Sequence, residues 1–239
     1  YNGSESTQAI EIRSSNVTLD CCSTLRPGNA KANVDGVRVD ANYTDVVIQN
    51  GKIENFTGTG ITLQDGVKRF KILGTTLLSN ANGGVALNGT TGNRILEGMI
   101  NNVDIFSGST NSGAGSPLFI NFATDIKVNT VRVDQNGLLS NSLTITGIAL
   151  ANSIKVDLTN VDVNDNFGMV GGVSLTSVSN SMFKNCNVRS NVNSSGGFFG
   201  FDLLTSSTVN IFDTCYVCQN SGTTAVNGFL VNSTCSDNM

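Results

Sequence analysis

Residues 36–63, which read GVRVDANYTDVVIQNGKIENFTGTGITL, contain one complete unit of a repeat and the start of the next. The unit opens on Gly36-Val-Arg-Val39, a glycine followed by alternating apolar residues, and Gly60-Ile-Thr-Leu63 opens the next unit in the same way. Two more short apolar segments, around Val46 and Ile53, lie between them. Apolar residues that alternate with period two indicate half-buried strands, and Gly and Asn favour turns. The stretch therefore predicts three short strands in each unit.

The glycine signature recurs along the whole chain at intervals of 24 to 33 residues, with Pro117 in the glycine position of one copy. Repeats of this length indicate a solenoid, in which each unit buries its apolar face only by stacking on its neighbours. The strand-start glycines are Gly36, Gly60, Gly84, Gly147, Gly172, Gly200 and Gly228.

A second signature lies about half a unit later. It consists of three apolar residues and an asparagine with the spacing Val128-x-x-Val131-x-Val133-x-x-Asn136. We predict that its asparagines adopt the left-handed turn conformation and form a structural ladder of side-chain hydrogen bonds. The ladder residues are Asn136, Asn166, Asn191 and Asn220. The same frame predicts one inward stack of Val131, Val161, Cys186 and Cys215, and a second of Val133, Val163, Val188 and Val217.

The strand pattern predicts an all-β fold: a single-stranded right-handed parallel β-helix (β-solenoid) of about eight to nine coils of three short strands, with little or no helix. The pattern L-x-x-L-x-L-x-x-N is also typical of leucine-rich repeats. However, the other half of each unit alternates as two strands and lacks leucines at helical spacing. This difference favours the three-stranded coil.

The repeats predict a single β-helix domain over residues 1–239. Neither end of the sequence offers a capping helix, so we expect the chain to be a segment of a longer polypeptide. Residues 107–116 are rich in Gly and Ser and are predicted to form a flexible insertion.

Composition excludes several classes of function. Lys and Arg number 14 against 18 Asp and Glu, a formal net charge of −4, so nucleic-acid binding is not expected. No apolar run approaches the roughly 20 residues of a membrane helix, so membrane insertion by this segment is not expected. The chain contains no His, which excludes His-based triads and metal sites. Its six cysteines form no paired CxxC set, so we expect no metal and no cofactor.

The segments IEIRSSNVTLDC, from Ile10 to Cys21, and residues 36–63 resemble the start of right-handed parallel β-helix repeat proteins, the pectate-lyase-like superfold. The resemblance extends from about Ile10 to Val231 and implies the fold. It implies no single function, because that fold includes lyases, hydrolases, phage tailspikes, adhesins and structural surface proteins. Polygalacturonase-like members carry a His-containing motif, and pectate-lyase-like members carry calcium-binding carboxylates. Neither set has a counterpart here, so no catalytic residue is carried over.

The residues themselves also predict no catalytic constellation. The outward positions of the first strand hold no pair of carboxylates on adjacent coils, as glycoside hydrolysis requires. The nearest cluster is Asp157, Asp162 and Asp165, with Asp134 one coil below. We expect Asp162, which is in register with Arg132, to form a surface ion pair.

These observations predict a structural or adhesive β-solenoid on the exterior of a virion or cell, without catalytic activity. Its expected partners are other surface proteins, further copies of itself in a homo-oligomer, and glycans. The alternative is a glycan-binding or glycan-cleaving protein of the tailspike or polysaccharide-lyase kind, with an extracellular, cell-surface or virion location.

Overall fold

The computed structural model describes residues 8–28, 34–109, 115–137, 145–231 and 234–238. Every regular element in these ranges is a β-strand. The strands are β1 (Gln8–Ile12), β2 (Val17–Asp20), β3 (Thr24–Leu25), β4 (Asp35–Val39), β5 (Val46–Gln49), β6 (Lys52–Glu54), β7 (Thr59–Gln64), β8 (Lys71–Leu73), β9 (Thr76–Leu78), β10 (Gly83–Asn88), β11 (Ile95–Phe106), β12 (Leu118–Asn121), β13 (Ala123–Asp134), β14 (Thr146–Ala151), β15 (Ile154–Asn164), β16 (Gly171–Thr176), β17 (Met182–Lys184), β18 (Asn187–Arg189), β19 (Val192–Asn193), β20 (Phe198–Leu204), β21 (Ile211–Asp213), β22 (Tyr216–Cys218), β23 (Ser221–Gly222) and β24 (Val226–Val231).

The strands stack coil on coil in parallel sheets. The first sheet has the order β1-β4-β7-β10-β12-β14-β16-β20-β24. A second, 13-stranded sheet has two limbs: the first limb runs β2-β5-β8-β11-β13-β15-β17-β21, and the second limb contains β3, β6, β9, β18 and β22 with the later halves of the long strands. All of these strand pairs are parallel, so the predicted all-β parallel solenoid is confirmed. The leucine-rich-repeat alternative is wrong.

Two details differ from the prediction. The described coils make about seven to eight complete turns, slightly fewer than the predicted eight to nine. In the central coils the second and third strands are continuous: β11 has 12 residues and pairs with both β8 and β9. The strand bends at Asn102, whose φ is 53°, and a bend of one residue leaves the ladder hydrogen bonds intact on both sides.

The core consists of inward columns in register. Val131 pairs with Val161, Val133 with Val163, and Val188 with Val217. Cys186 is buried and Cys215 lies on the next coil, half-buried. Each column continues through the chain with side chains of similar size, because parallel in-register pairing places each residue directly over its counterpart.

A buried ladder of asparagines lies at the turn after the second limb. Asn136 Nδ2 donates to Asn166 Oδ1 at 3.0 Å, Asn166 Nδ2 to Asn191 Oδ1 at 2.8 Å, and Asn191 Nδ2 to Asn220 Oδ1 at 2.9 Å. Each oxygen also accepts the backbone N–H of the asparagine one coil below, as Asn166 does from Asn136 at 2.9 Å. The ladder therefore satisfies backbone groups as well as side chains.

The prediction that these asparagines adopt the left-handed conformation is wrong. The residue before each one does so: Gln135, Asp165, Ser190 and Gln219 have φ between 50° and 56°. The preceding residue turns the chain outward and is exposed or half-buried, which leaves the asparagine free to point into the coil.

The predicted flexible insertion is only partly described, since residues 110–114 lie outside the described ranges. Its two flanks are held: Ser109 N donates to Asn80 O at 3.1 Å, and Gly115 N donates to Asn82 O at 3.0 Å. The Ser109 hydroxyl also donates to Gly115 O at 2.9 Å. Flexibility of the segment between them stays a prediction.

The strand-start glycines lie in a row where the chain enters the first sheet, against the β-branched column of the second limb. A Cβ on Gly172 would lie 2.2 Å from Val188 Cγ1 and 2.8 Å from Gly200 O. A Cβ on Gly147 would lie 2.4 Å from a γ-methyl of Val163. This corner therefore has no space for a side chain.

We expect Gly172→Ala to lower the free energy of unfolding by about 1–3 kcal/mol, because its methyl group overlaps Val188 and the Gly200 carbonyl. Gly228→Ala is the matched control, since a Cβ there meets no heavy atom within 4 Å; we expect a change within about 0.5 kcal/mol. Urea unfolding measures both. The double variant Gly172→Ala/Val188→Ala should lose less free energy of unfolding than the two single variants lose together, by at least about 0.5 kcal/mol. Equal effects at Gly172 and Gly228 would contradict the close contact.

A second substitution tests the buried ladder. Asn166→Ala removes the acceptor of the Asn136 N–H and the donor to Val133 O, and we expect it to destabilise the fold by at least about 2 kcal/mol. Asn129→Ala is the control: Asn129 donates to Asn101 at 2.9 Å on the surface, so its loss should cost less than about 1 kcal/mol. Thermal unfolding by circular dichroism compares them, and similar losses for the two variants would refute the special role of the buried ladder.

Candidate functional site

Three concavities on the described surface are candidate sites. The largest is a groove of about 490 Å³ on the outer face of the first limb, called here the axial groove. A cleft of about 350 Å³ lies beside Arg38, Tyr43 and Asp65, and a pocket of about 280 Å³ lies on the first sheet beside Phe119. The axial groove is the largest of the three and combines charged, amide and apolar groups.

Two outward rows of the first limb line the axial groove. Because coils stack in register, side chains of one row repeat at the sheet spacing of roughly 4.8 Å. One row carries two charged groups on adjacent coils with a methionine on either side, and the other row carries amides and a hydroxyl; the lining side chains are Met99, Lys127, Asp157, Met182, Asn101, Asn129 and Thr159.

The charged groups of the groove are only partly neutralised. Lys127 is in register with Asp157, and no described residue forms an ion pair with Lys127 or with Lys71 two coils away. Asp157 Oδ1 accepts the backbone N–H of Met182 at 3.1 Å, which fixes the carboxylate. The groove therefore presents the free ammonium group of Lys127 beside one positioned carboxylate, and Lys71 lies two coils away on the same row, outside the lining residues.

The amide row offers further donors. Asn129 Nδ2 donates to Asn101 Oδ1 at 2.9 Å, and Asn160 Nδ2 donates to Asn129 Oδ1 at 3.3 Å. Asn185 Nδ2 continues this surface ladder to Asn160 Oδ1 at 3.2 Å. Within the described chain, the Asn101 amide nitrogen and the Thr159 hydroxyl have no hydrogen-bond partner. They can bond hydroxyl or carboxylate oxygens of a ligand.

The site residues that the sequence predicted as ladder, inward stack and strand-start glycines line none of these three concavities. The ladder asparagines, the inward stack and the strand-start glycines lie in the interior or at the tight corners of the coil. The surface ladder and the axial groove were missed. Asn101, Asn129 and Thr159 recur at one outward position, and that recurrence is the signal that could have revealed them.

The four aspartates that the sequence grouped together are separated. Asp134 is buried and pairs with Arg132 on its own strand, while Asp162 accepts from Asn187 Nδ2 at 2.7 Å. The predicted Arg132–Asp162 ion pair is wrong, because the Arg132 guanidinium turns along its strand and lies 5.1 Å from the centre of the Phe106 ring. Among the four, only Asp157 faces the groove.

The described residues contain no group of three His, Cys, Asp or Glu side chains arranged to hold a metal. All six cysteines are free thiols. Cys186 and Cys215 lie on adjacent coils, and the neighbouring Cys186 thiol lowers the pKa of Cys215 to about 7. The neighbouring Cys215 thiol and burial raise the pKa of Cys186. Cys22 is exposed, and its hydrogen bond to Asp20 raises its pKa.

This asymmetry predicts a pH dependence of thiol alkylation. Only thiolates react, so alkylation of Cys215 should rise through about pH 7 and level off above it, whereas Cys22 should continue to gain reactivity above pH 9, about its ordinary pKa. Cys186 should be alkylated only after unfolding, because it is 1% exposed. Iodoacetamide labelling with peptide mapping resolves the three sites. A Cys215 profile with the same midpoint as that of Cys22 would contradict the effect of Cys186 on the pKa of Cys215.

The described residues form no helix that could span a membrane.

Neither a protein-family model nor a curated protein sequence matches the chain. Solved structures do match in fold. The enzymatically active domain of tailspike protein 2 from bacteriophage CBA120 superposes with a TM-score of 0.66 at 15% identity, over 94% of this chain and 36% of that one.

Two further structures match less closely. The periplasmic alginate epimerase AlgG gives a TM-score of 0.54 at 12% identity over 84% of this chain and 59% of that one. A glycoside hydrolase gives 0.55 at 13% identity over 83% and 39%. This chain thus spans between 36% and 59% of the length of these three proteins. At such low identity the likeness concerns the fold: this chain is a parallel β-helix, the architecture that the three structures share.

Proposed function

We propose that this chain is a glycan-binding β-solenoid that acts on the exterior of a virion or cell and holds an acidic glycan in the axial groove. The observation that carries the proposal is Lys127, which has no ion-pair partner among the described residues and lines the groove beside unpartnered amide and hydroxyl donors; Lys71, also without an ion-pair partner, extends the same outward row two coils away. A long, shallow groove of this kind suits an extended chain molecule better than a compact ligand.

The chemistry of the groove matches the parts of an acidic sugar. Lys71 and Lys127 are two coils apart, separated by Met99, so their spacing is roughly twice 4.8 Å along the coil axis. Ammonium groups attract carboxylates, the Asn101 amide can donate to hydroxyls, and Met99 and Met182 offer apolar surface to the non-polar face of a sugar ring.

The fold neighbours support the same class of ligand. Two of them have names of enzymes that act on glycans, an alginate epimerase and a glycoside hydrolase. The third is a phage tailspike domain described as enzymatically active. Support of this kind is analogy at the level of fold, because one fold carries many functions. It favours the virion or extracellular surface as location, and self-association or docking to other surface proteins would be compatible with an exposed rod.

A second candidate function is cleavage of the bound glycan. Asp157 and Lys127 occupy neighbouring coils in register and face the same groove, so a carboxylate and an amine could act on one sugar unit. Hydrolysis by two carboxylates has no counterpart here, since Asp157 is the only carboxylate among the described lining residues of the groove. Binding without cleavage is therefore the leading proposal.

Binding is tested by calorimetry with polygalacturonate, alginate and hyaluronan, and with neutral dextran for comparison. We expect an acidic polymer to bind and the double variant Lys71→Ala/Lys127→Ala to bind at least about tenfold more weakly, with affinity falling as salt rises. Lys52→Ala is the control, because Lys52 lies on the second limb in an ion pair with Glu54. The proposal would be overturned if the wild type and the double variant bound with equal affinity, or if none of the three acidic polymers bound to the wild type.

Cleavage has a separate test. If the chain depolymerises a bound acidic polymer, new reducing ends should appear, and Asp157→Asn should lower their rate at least about a hundredfold, the usual contribution of one acid or base, without weakening binding. Depolymerisation that Asp157→Asn leaves unchanged would place any chemistry outside the groove.

A further inference from the structure

The outward row of the first sheet contains an aromatic ring between two small residues. Ala86, Phe119 and Ala149 are in register on successive coils, and Ser174 and Asp202 continue the row. Because Ala149 is small, the space above it stays open between the Phe119 ring and Ser174. This space is the pocket of about 280 Å³.

The hydroxyl groups around the pocket have a defined direction of hydrogen bonding. Thr146 Oγ1 donates to Ile148 O at 2.9 Å, so in its 3.1 Å contact with Ser174 Oγ the proton belongs to Ser174. Ser116 Oγ accepts the backbone N–H of Thr146 at 3.3 Å. Ser116 therefore keeps a free hydroxyl proton, and Ser174 keeps free lone pairs, both at the pocket wall.

Asp202 adds a polar group that nothing in the described chain satisfies. Its Oδ1 atom is buried and has no hydrogen-bond partner, which costs free energy in an unliganded protein. Burial also raises the pKa of the Asp202 carboxyl. Ser174 is its in-register neighbour, so Asp202 lies one coil beyond the pocket wall.

The charge around this pocket differs from that of the axial groove. Its lining is Gly, Ser, Thr, Ala, Ile and Phe, with no Lys or Arg, so it has no group to neutralise an anionic ligand. An aromatic ring beside one hydroxyl donor and one hydroxyl acceptor matches a ring that is apolar on one face and carries hydroxyls at its edge.

We infer that the space between Phe119 and Ser174 is a binding site for one neutral sugar residue; Asp202 lies one coil beyond this space and outside its lining. The site rests on the proposed function for its class of ligand, but it lies on a different sheet from the axial groove and would take a neutral ligand, not an acidic one. The sugar ring would lie over Ala149 with its apolar face on Phe119, and its hydroxyls would bond Ser116 and Ser174.

Saturation-transfer NMR with the methyl glycosides of glucose, galactose, mannose and N-acetylglucosamine tests this site. We expect transfer to at least one of them in the wild type, its loss in Ala149→Trp, which fills the space, and at least a tenfold weaker affinity in Ser174→Ala. Ala86→Trp is the matched control: it introduces the same side chain into the same row outside the pocket lining, and should change affinity less than twofold. Circular dichroism verifies that each variant folds.

Two results would overturn the inference: no transfer to any of the four glycosides, or transfer that persists in both Ala149→Trp and Ser174→Ala. The double variant Lys71→Ala/Lys127→Ala separates the two proposals. Glycoside binding that survives in it supports an independent neutral-sugar site even if no acidic polymer binds to the groove. Glycoside binding that is lost with the lysines, in a variant that remains folded, would show that the ligand lies in the axial groove and that the first-sheet site is wrong.

Discussion

The close approach between the start of each first-sheet strand and the second limb is the constraint on which the rest of the structure depends. At Gly147, Gly172 and Gly200 a Cβ would lie 2.2–2.5 Å from a valine γ-methyl on the column it faces. The absence of a side chain lets the chain turn this corner and re-enter the first sheet in register. Register then places like residues over one another, and it fills the interior and aligns the outward rows that form the groove and the pocket.

Periodicity in the sequence was enough to predict the sheets and the columns, because inward and outward positions alternate along the straight parts of the strands between the bends. The direction of a single side chain is not encoded that way. Arg132 is in register with Asp162 and yet pairs with Asp134, since a long side chain can choose between partners at similar distance. The same limit applies to the residue with positive φ that precedes each ladder asparagine. This position accepts different polar residues, such as Gln135, so the sequence pattern does not mark it.

The two candidate sites show why the groove escaped prediction. Each is formed by one or more residues from each of several coils, and the residues in register are 25 to 30 positions apart in sequence, as Met99, Lys127, Asp157 and Met182 are. Catalytic motifs are usually recognised within short segments or by residue type, and this chain has no His that would indicate a site. In a solenoid the relevant motif runs across the coils.

Between Pro117 and Gly228, the corner between the asparagine ladder and the next strand-start glycine also absorbs nearly all variation in coil length. From Gly147 to Asn166, and from Gly172 to Asn191, the chain takes 19 steps; from Asn166 to Gly172 it takes 6, and from Asn136 to Gly147 it takes 11. The perimeter of these coils thus varies at one edge, whereas the coil before them is longer at the corner from Asn88 to Ile95. Segments of different length could be exchanged at that edge by recombination while the scaffold stayed the same, which would make specificity for new surfaces evolvable at little cost in folding.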